Sequence, residues 1–217
     1  MKMKKSIRYI GIIIALSLSV FLGYKYGDYK DAKDLPVYES QSLYPDLEFE
    51  EIVHMADTIV YGKVVGIGES YYEDLPVSIT EDPKEVTDHL KNLVTPIEIE
   101  VKTGLKGAKK KIVTCLEEGG ITDTFIQKPS GYSLEKNMEV IIFLNEKGYT
   151  WGELSIFPIY GEKVILNEVA QEFIDDSKIV KGDTNKVDKA LKKQIQDKEI
   201  YVMDKKDFMA VIEGLIN

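Results

Sequence analysis

Hydrophobic and polar positions change period along this chain, and each change marks an element. From Tyr9 to Tyr24 no residue is charged, and Ile, Leu and Val dominate. Residues 25–45 lose all apolar periodicity and carry Gly27, Pro36, Pro45 and scattered Asp and Lys, the composition of a tether. Structured sequence begins at Asp46, where Phe49, Ile52, Val53 and Ala56 recur at helical spacing and predict a short amphipathic helix. Between Thr58 and Ile67 the period falls to two, with Ile59, Tyr61, Val65 and Ile67 on one face and Thr58, Val60 and Val64 on the other. Gly62 inside that strand predicts a bulge or a close backbone approach. Thr95, Ile97, Ile99 and Val101 alternate with Glu98, Glu100 and Lys102, the pattern of a half-buried strand. A turn at Gly104 to Gly107 leads to a strand over Lys111 to Glu117, which Gly119-Gly120 ends.

Met138 to Leu144 is apolar on both faces except at Glu139, which marks a central strand, and further short strands fit Tyr149 to Phe157 and Lys163 to Leu166. The tail turns helical. Val187, Ala190, Leu191 and Ile195 line one face, and Asp204 reads as the N-cap of a last helix striped by Phe208, Val211, Ile212 and Leu215. The expectation is one domain over residues 46–217, α+β and mainly β: a small antiparallel OB-like barrel or sheet with C-terminal helices packed on it, behind an N-terminal transmembrane helix.

Charge gives that first helix an orientation. Lys2, Lys4, Lys5 and Arg8 precede the apolar run, whereas Lys25, Lys30 and Lys33 beyond it interleave with Asp28, Asp31 and Asp34. The uncompensated positive flank keeps residues 1–8 in the cytoplasm and sends the rest outside. The sixteen uncharged residues span about 24 Å of helix, short of a hydrocarbon core of about 30 Å. Shortness favours a cleaved signal peptide. The lack of a small-x-small site, with Phe21 spoiling a cut after Gly23, favours an uncleaved single-pass anchor over residues 9–24, and cleavage stays open. Tyr24, Tyr26 and Tyr29 suit the headgroup level. The localisation expected is the cell membrane, or secretion if the segment is removed.

The whole chain carries a net charge of −9, and setting aside the four cations of residues 1–8 leaves residues 9–217 at −13. Such acidity excludes nucleic acid, which needs a positive footprint. Arg8 is the sole arginine, so no guanidinium fork lies outside the membrane. Cys115 is the sole cysteine, which excludes an intrachain disulfide, and it stands far from any lipoprotein position.

The segments Ala56 to Val64, Val101 to Gly107, Gly119-Gly120 and Leu134 to Leu144, in that order, resemble the uncharacterised exported proteins of Gram-positive bacteria with a TIMP/netrin-like, OB-type β barrel. The resemblance covers roughly residues 50–166 and implies a fold. Asn137 stands where that pattern has a glycine, a departure that a left-handed turn tolerates. The paired cysteines and N-terminal cysteine of TIMP-type inhibitors are absent, so protease inhibition does not carry over.

Chemical motifs are sparse. Ser133-Leu134-Glu135-Lys136 matches S-x-x-K and Lys102-Thr103-Gly104 matches K-T-G, but their order is inverted relative to penicillin-recognising enzymes, and Ser133 follows a Pro129-Ser130-Gly131 loop. Cys115 lies beside Val113 and reads as a strand cysteine, while Glu117-Glu118 reads as a solvated edge. His54, His89 and Cys115 are too few for a structural zinc site. Asp183 to Asp188 offers oxygen ligands for calcium but lacks the glycine and terminal glutamate of an EF-hand, and helix capping explains the same residues. No catalytic, cofactor or metal residue is assigned.

The remaining signal is Gly68 to Val94, a long acidic insertion between two strands, with room for a short helix over Asp82 to Leu93 that turns Val86, Leu90 and Leu93 to the barrel. Tyr71, Tyr72, Glu73 and Asp74 in it, with Trp151, form the candidate interaction surface. The function expected is a non-enzymatic, membrane-anchored extracytoplasmic binding module for a protein or envelope component. A surface hydrolase built on carboxylates and an inhibitor or immunity-type protein are the alternatives.

Overall fold

The computed structural model describes residues 35–39, 46–77, 88–195 and 198–217. The expected n-region at 1–8, the expected anchor at 9–24 and most of the expected tether at 25–45 lie outside them. Among the described residues no helix is long and apolar enough to cross a membrane. The chain divides into two units. In the smaller, residues 35–38 meet Ile121–Ile126: the Ile126 N–H donates to the Pro36 carbonyl at 2.9 Å, and the Tyr38 and Phe125 rings stand edge to face with centroids 5.8 Å apart.

The larger unit, Glu39–Gly120 with Gln127–Asn217, is mainly β with C-terminal helices. Its strands are β1 (Thr58–Ile67), β2 (Tyr71–Val77), β3 (Asp88–Lys106), β4 (Ile112–Glu118), β5 (Glu139–Leu144), β6 (Ile156–Tyr160), β7 (Lys163–Leu166), β8 (Val180–Lys181) and β9 (Tyr201–Asp204). They join in one sheet in the order β8-β9-β7-β6-β5-β1-β3-β2, with β4 also on β3. The sheet does not close. Strand β4 ends the ladder, and one parallel bridge, Leu116 to Tyr149, links it to the turn after β5. The expected barrel is therefore an open sheet with two separate cores. The helices are α1 (Phe49–Met55), α2 (Glu168–Phe173), α3 (Lys189–Ile195) and α4 (Lys205–Ile216).

Two-faced burial of the central strands produces both cores. From β5, Ile141 and Phe143 enter one core while Val140, Ile142 and Leu144 enter the other. Phe49, Phe143, Phe157 and Phe208 pack the first beneath α1, α2 and α4, the Phe157 and Phe208 rings 4.9 Å apart. Val60, Val64, Ile97, Ile99 and Cys115 form the second with Leu191 and Ile195 of α3. Gly62 sits where β1 slips register against β3; a Cβ there would lie 2.5 Å from Ile99 Cγ2 and 2.6 Å from the Glu100 carbonyl oxygen. Asn137 holds a left-handed turn at φ 74°. Helix α1 is bounded at both ends: Glu48 N–H donates to Glu51 Oε2 at 2.9 Å, and Lys106 Nζ donates to the Val53 and His54 carbonyls.

Three local expectations change. Residues 88–93 continue strand β3 instead of forming a helix, because they pair along their length with β2; residues 82–87 lie outside the described part. Tyr149 belongs to a turn and Gly152–Ser155 to a 3-10 helix, so the strand expected from Tyr149 begins at Ile156. Asp204 does precede α4, but its carboxylate takes a 2.8 Å hydrogen bond from Lys163 Nζ instead of capping the helix.

Candidate functional site: a two-stranded ribbon and a charged cleft

After Ile67 the chain breaks its ladder for three residues and resumes as β2, still on the same edge of β3, with Ile67 opposite Ile97 and Tyr71 opposite Val94. On the other edge of β3, β4 reaches only as far as Val94 opposite Glu118. Beyond that point Gly119 N–H still donates to the Leu93 carbonyl at 2.7 Å, and from Asn92 outward the first residues of β3 have ladder partners only in β2 among the described residues. Of the expected insertion, residues 71–77 and 88–94 form a two-stranded ribbon rooted in the sheet. Its root is firm. Leu93 and Val94 are buried, and Thr95 Oγ1 donates to the Gly119 carbonyl at 2.8 Å.

Alternation along β2 places Tyr71 and Glu73 on one face and Tyr72 and Asp74 on the other. Tyr71 is 44% and Tyr72 53% exposed, unusually open for tyrosine. Glu73 accepts a hydrogen bond from the Tyr149 hydroxyl. Burial first, then this carboxylate, raises the Tyr149 pKa, with Tyr71 and Glu118 adding to it. Asp74 is exposed opposite Lys91. Trp151 is not part of this surface. It is half-buried against the phenylalanine core, and its backbone N–H donates to Ser155 Oγ at 2.7 Å.

Ser133 lies in the lining of a cleft of about 620 Å³ together with Lys128, Lys193 and Lys198. Its backbone is held on both sides by Gln194 of α3: Ser133 N–H donates to Gln194 Oε1 at 2.7 Å, and Gln194 Nε2 donates to the Ser133 carbonyl at 3.0 Å. The next residue, Leu134, donates its N–H to Glu117 Oε1 at 2.6 Å. Lys102 of the K-T-G sequence belongs elsewhere, bonded to Glu139.

Glu117 corrects the expectation of a solvated edge. It faces the second core at 8% exposure, and burial pushes its carboxyl up to about 7 despite the Leu134 amide. Cys115, two residues earlier on the same face, is fully buried, and burial with the Glu117 charge raises its thiol pKa well above normal. A thiol so held is no nucleophile. Asp183 accepts from Asn185 N–H at 3.0 Å in a 3-10 turn, and Asp188 accepts from Leu191 N–H at 2.9 Å at the start of α3, so both act as caps. Among the described residues no group of three His, Cys, Asp or Glu side chains could hold a metal.

One polar network escaped the sequence reading. Tyr61 OH donates to Glu139 Oε2 at 2.7 Å and accepts from Lys205 Nζ at 3.2 Å, while Lys205 also pairs with Glu162 at 3.0 Å. Lys205 sits 4.6 Å from the centre of the Tyr61 ring. Its burial, which favours the neutral amine, is outweighed by these partners, and its pKa rises. No local signal announces this network, since Tyr61 and Lys205 are 144 residues apart.

By fold and surface this is a mainly β protein that displays a tyrosine-bearing ribbon and a charged cleft. No family model, curated protein or solved structure matches the chain.

Proposed function

We propose that this chain is a non-enzymatic binding module, held outside the cell membrane by residues 9–24, that engages a protein or envelope component through its ribbon. The observation that carries the reading is the exposure of Tyr71 and Tyr72 on β2, whose only strand partner among the described residues is β3. Such a ribbon offers main-chain groups at its edges and aromatic area at small entropy cost. Charge sharpens the choice of partner: residues 69–92 hold seven acids against two lysines, so a basic surface is favoured over an acidic one.

The test must spare the root, because Leu93 and Val94 are core residues. Replacing residues 75–90 by an Asn-Gly turn between Asp74 and Lys91 shortens the ribbon, and Tyr71→Ala with Tyr72→Ala strips its face. Crosslinking pull-downs from intact cells are expected to lose a partner with either variant. Identical partner sets for both variants and the unaltered chain would overturn the proposal. A surface hydrolase finds its support in Ser133 sharing a cleft with three lysines. Labelling of Ser133 by a fluorophosphonate probe would establish that reading instead.

A further inference from the structure

The cleft beside Ser133 is walled by side chains of both charge signs that leave one another alone. Lys128, Lys193 and Lys198 line it together with Glu39, Glu135 and Glu153, all six exposed. None of them joins any ion pair among the described residues, so no lysine nitrogen there comes within 4.0 Å of a glutamate oxygen. Elsewhere on the surface opposite charges do meet, as Lys163 meets Asp204 at 2.8 Å and Lys181 meets Glu199.

Part of the lining is a fixed loop. Gly131, at φ 92°, lets the loop pass so close to Glu153 that a Cβ would stand 2.6 Å from Glu153 Cβ. Two residues on, Gln194 clamps both backbone groups of Ser133, and buried Glu117 holds the Leu134 amide. The loop that lines the cleft is therefore tied to α3 at Ser133 and to β4 at Leu134. A site whose walls are fixed in advance loses less entropy when it fills.

We propose that this cleft binds a short peptide segment bearing both a free amino group and a free carboxylate. A ligand of one charge sign would gain from one set of side chains and be repelled by the other, whereas a ligand with separated ends of opposite sign satisfies both. The volume, about 620 Å³, falls in the range of drug-sized ligand sites and exceeds what a single amino acid fills. The hydroxyls of Ser130 and Ser133, also in the lining, supply partners for peptide N–H and C=O groups. The lysines take the carboxylate, and Glu39, Glu135 and Glu153 take the ammonium. This site is independent of the ribbon.

The full chain in detergent micelles, at low salt, can be titrated with tetra-alanine in four forms: free at both ends, N-acetylated, C-amidated and doubly capped. Saturation-transfer difference NMR reads the affinity. The free form is expected to bind with a Kd on the order of 1 mM, and capping either end to weaken it by about fivefold, the effect of an exposed ion pair. Lys128→Gln, Lys193→Gln and Lys198→Gln together should make the chain indifferent to C-amidation while still sensing N-acetylation; Glu39→Gln, Glu135→Gln and Glu153→Gln together should do the reverse. All six positions are exposed, so circular dichroism is expected to show unchanged folding. Absence of saturable binding up to about 10 mM, equal binding of the free and doubly capped peptides, or variants that discriminate as the unaltered chain does, would each overturn the proposal. The ribbon pull-down has its own readout, so failure of one proposal leaves the other standing.

Discussion

Glu117→Gln isolates the cost of a buried charge. The Glu117 carboxyl lies at 8% exposure in the second core, and its pKa is pushed from 4.5 up to about 7 by burial. Below pH 4.5 the folded and unfolded chains are both protonated there, and the site contributes no pH dependence. Between 4.5 and 7 the unfolded chain releases the proton while the folded chain keeps it. Stability therefore falls as pH rises, by about 1.4 kcal/mol per unit, and levels off above pH 7 with about 3 kcal/mol lost. Glutamine has no charge to bury and keeps a carbonyl oxygen for the Leu134 N–H. The variant is expected to match the unaltered chain near pH 4.5, apart from a constant offset, and to gain on it by about 3 kcal/mol by pH 8. Urea titrations at several pH values, followed by the fluorescence of Trp151, the single tryptophan, measure the difference. A difference that stays flat across the range, or that grows as pH falls, would refute the reasoning.

Phe157→Ala should cost about 3 to 5 kcal/mol, because its ring is fully buried and lies 5.3 Å from Phe143 and 4.9 Å from Phe208; a loss under about 1 kcal/mol in chemical denaturation would contradict this packing. Gly62→Ala should destabilise by about 2 kcal/mol, since the new methyl meets the Glu100 carbonyl at 2.6 Å and a strand backbone cannot give way cheaply; an unchanged melting temperature would place the two strands further apart. Tyr61→Phe removes the hydroxyl shared by Glu139 and Lys205 and should cost about 1 to 3 kcal/mol. A Tyr61→Phe, Lys205→Met double variant that recovers none of that loss would show that the buried ammonium does not depend on the hydroxyl.

Much of the fold was legible in the sequence because local pattern and burial agree. Ile59 and Val60 enter opposite cores as their alternation implies. Met138 to Leu144, apolar on both sides, does run through the middle of the sheet between β1 and β6. Gly62 and Asn137 each announced a backbone need that the structure shows, a close approach in one case and a positive φ in the other. Strand β9 was missed: its four residues are followed at once by α4, and no turn signal separates them. The acidic stretch from Gly68 reads as a long insertion with a short helix, because Val86, Leu90 and Leu93 fall at helical spacing. A ribbon pairs through its backbone, and backbone pairing leaves little trace in side-chain pattern.

The sequence by itself thus determined the positions of most strands and helices, the two-sided burial of β5 and the charge asymmetry around the N-terminal apolar run. Periodicity is a local property and reports which face of an element is buried. Only the tertiary structure decided that the sheet stays open, that residues 71–77 and 88–94 extend it as a ribbon and that Trp151 packs against the core. It alone decided that Glu117 turns inward to hold Leu134 and that Tyr61, Glu139 and Lys205 meet. Those outcomes depend on residues far apart in the chain, and a carboxylate on a strand carries no mark of which neighbour will cover it.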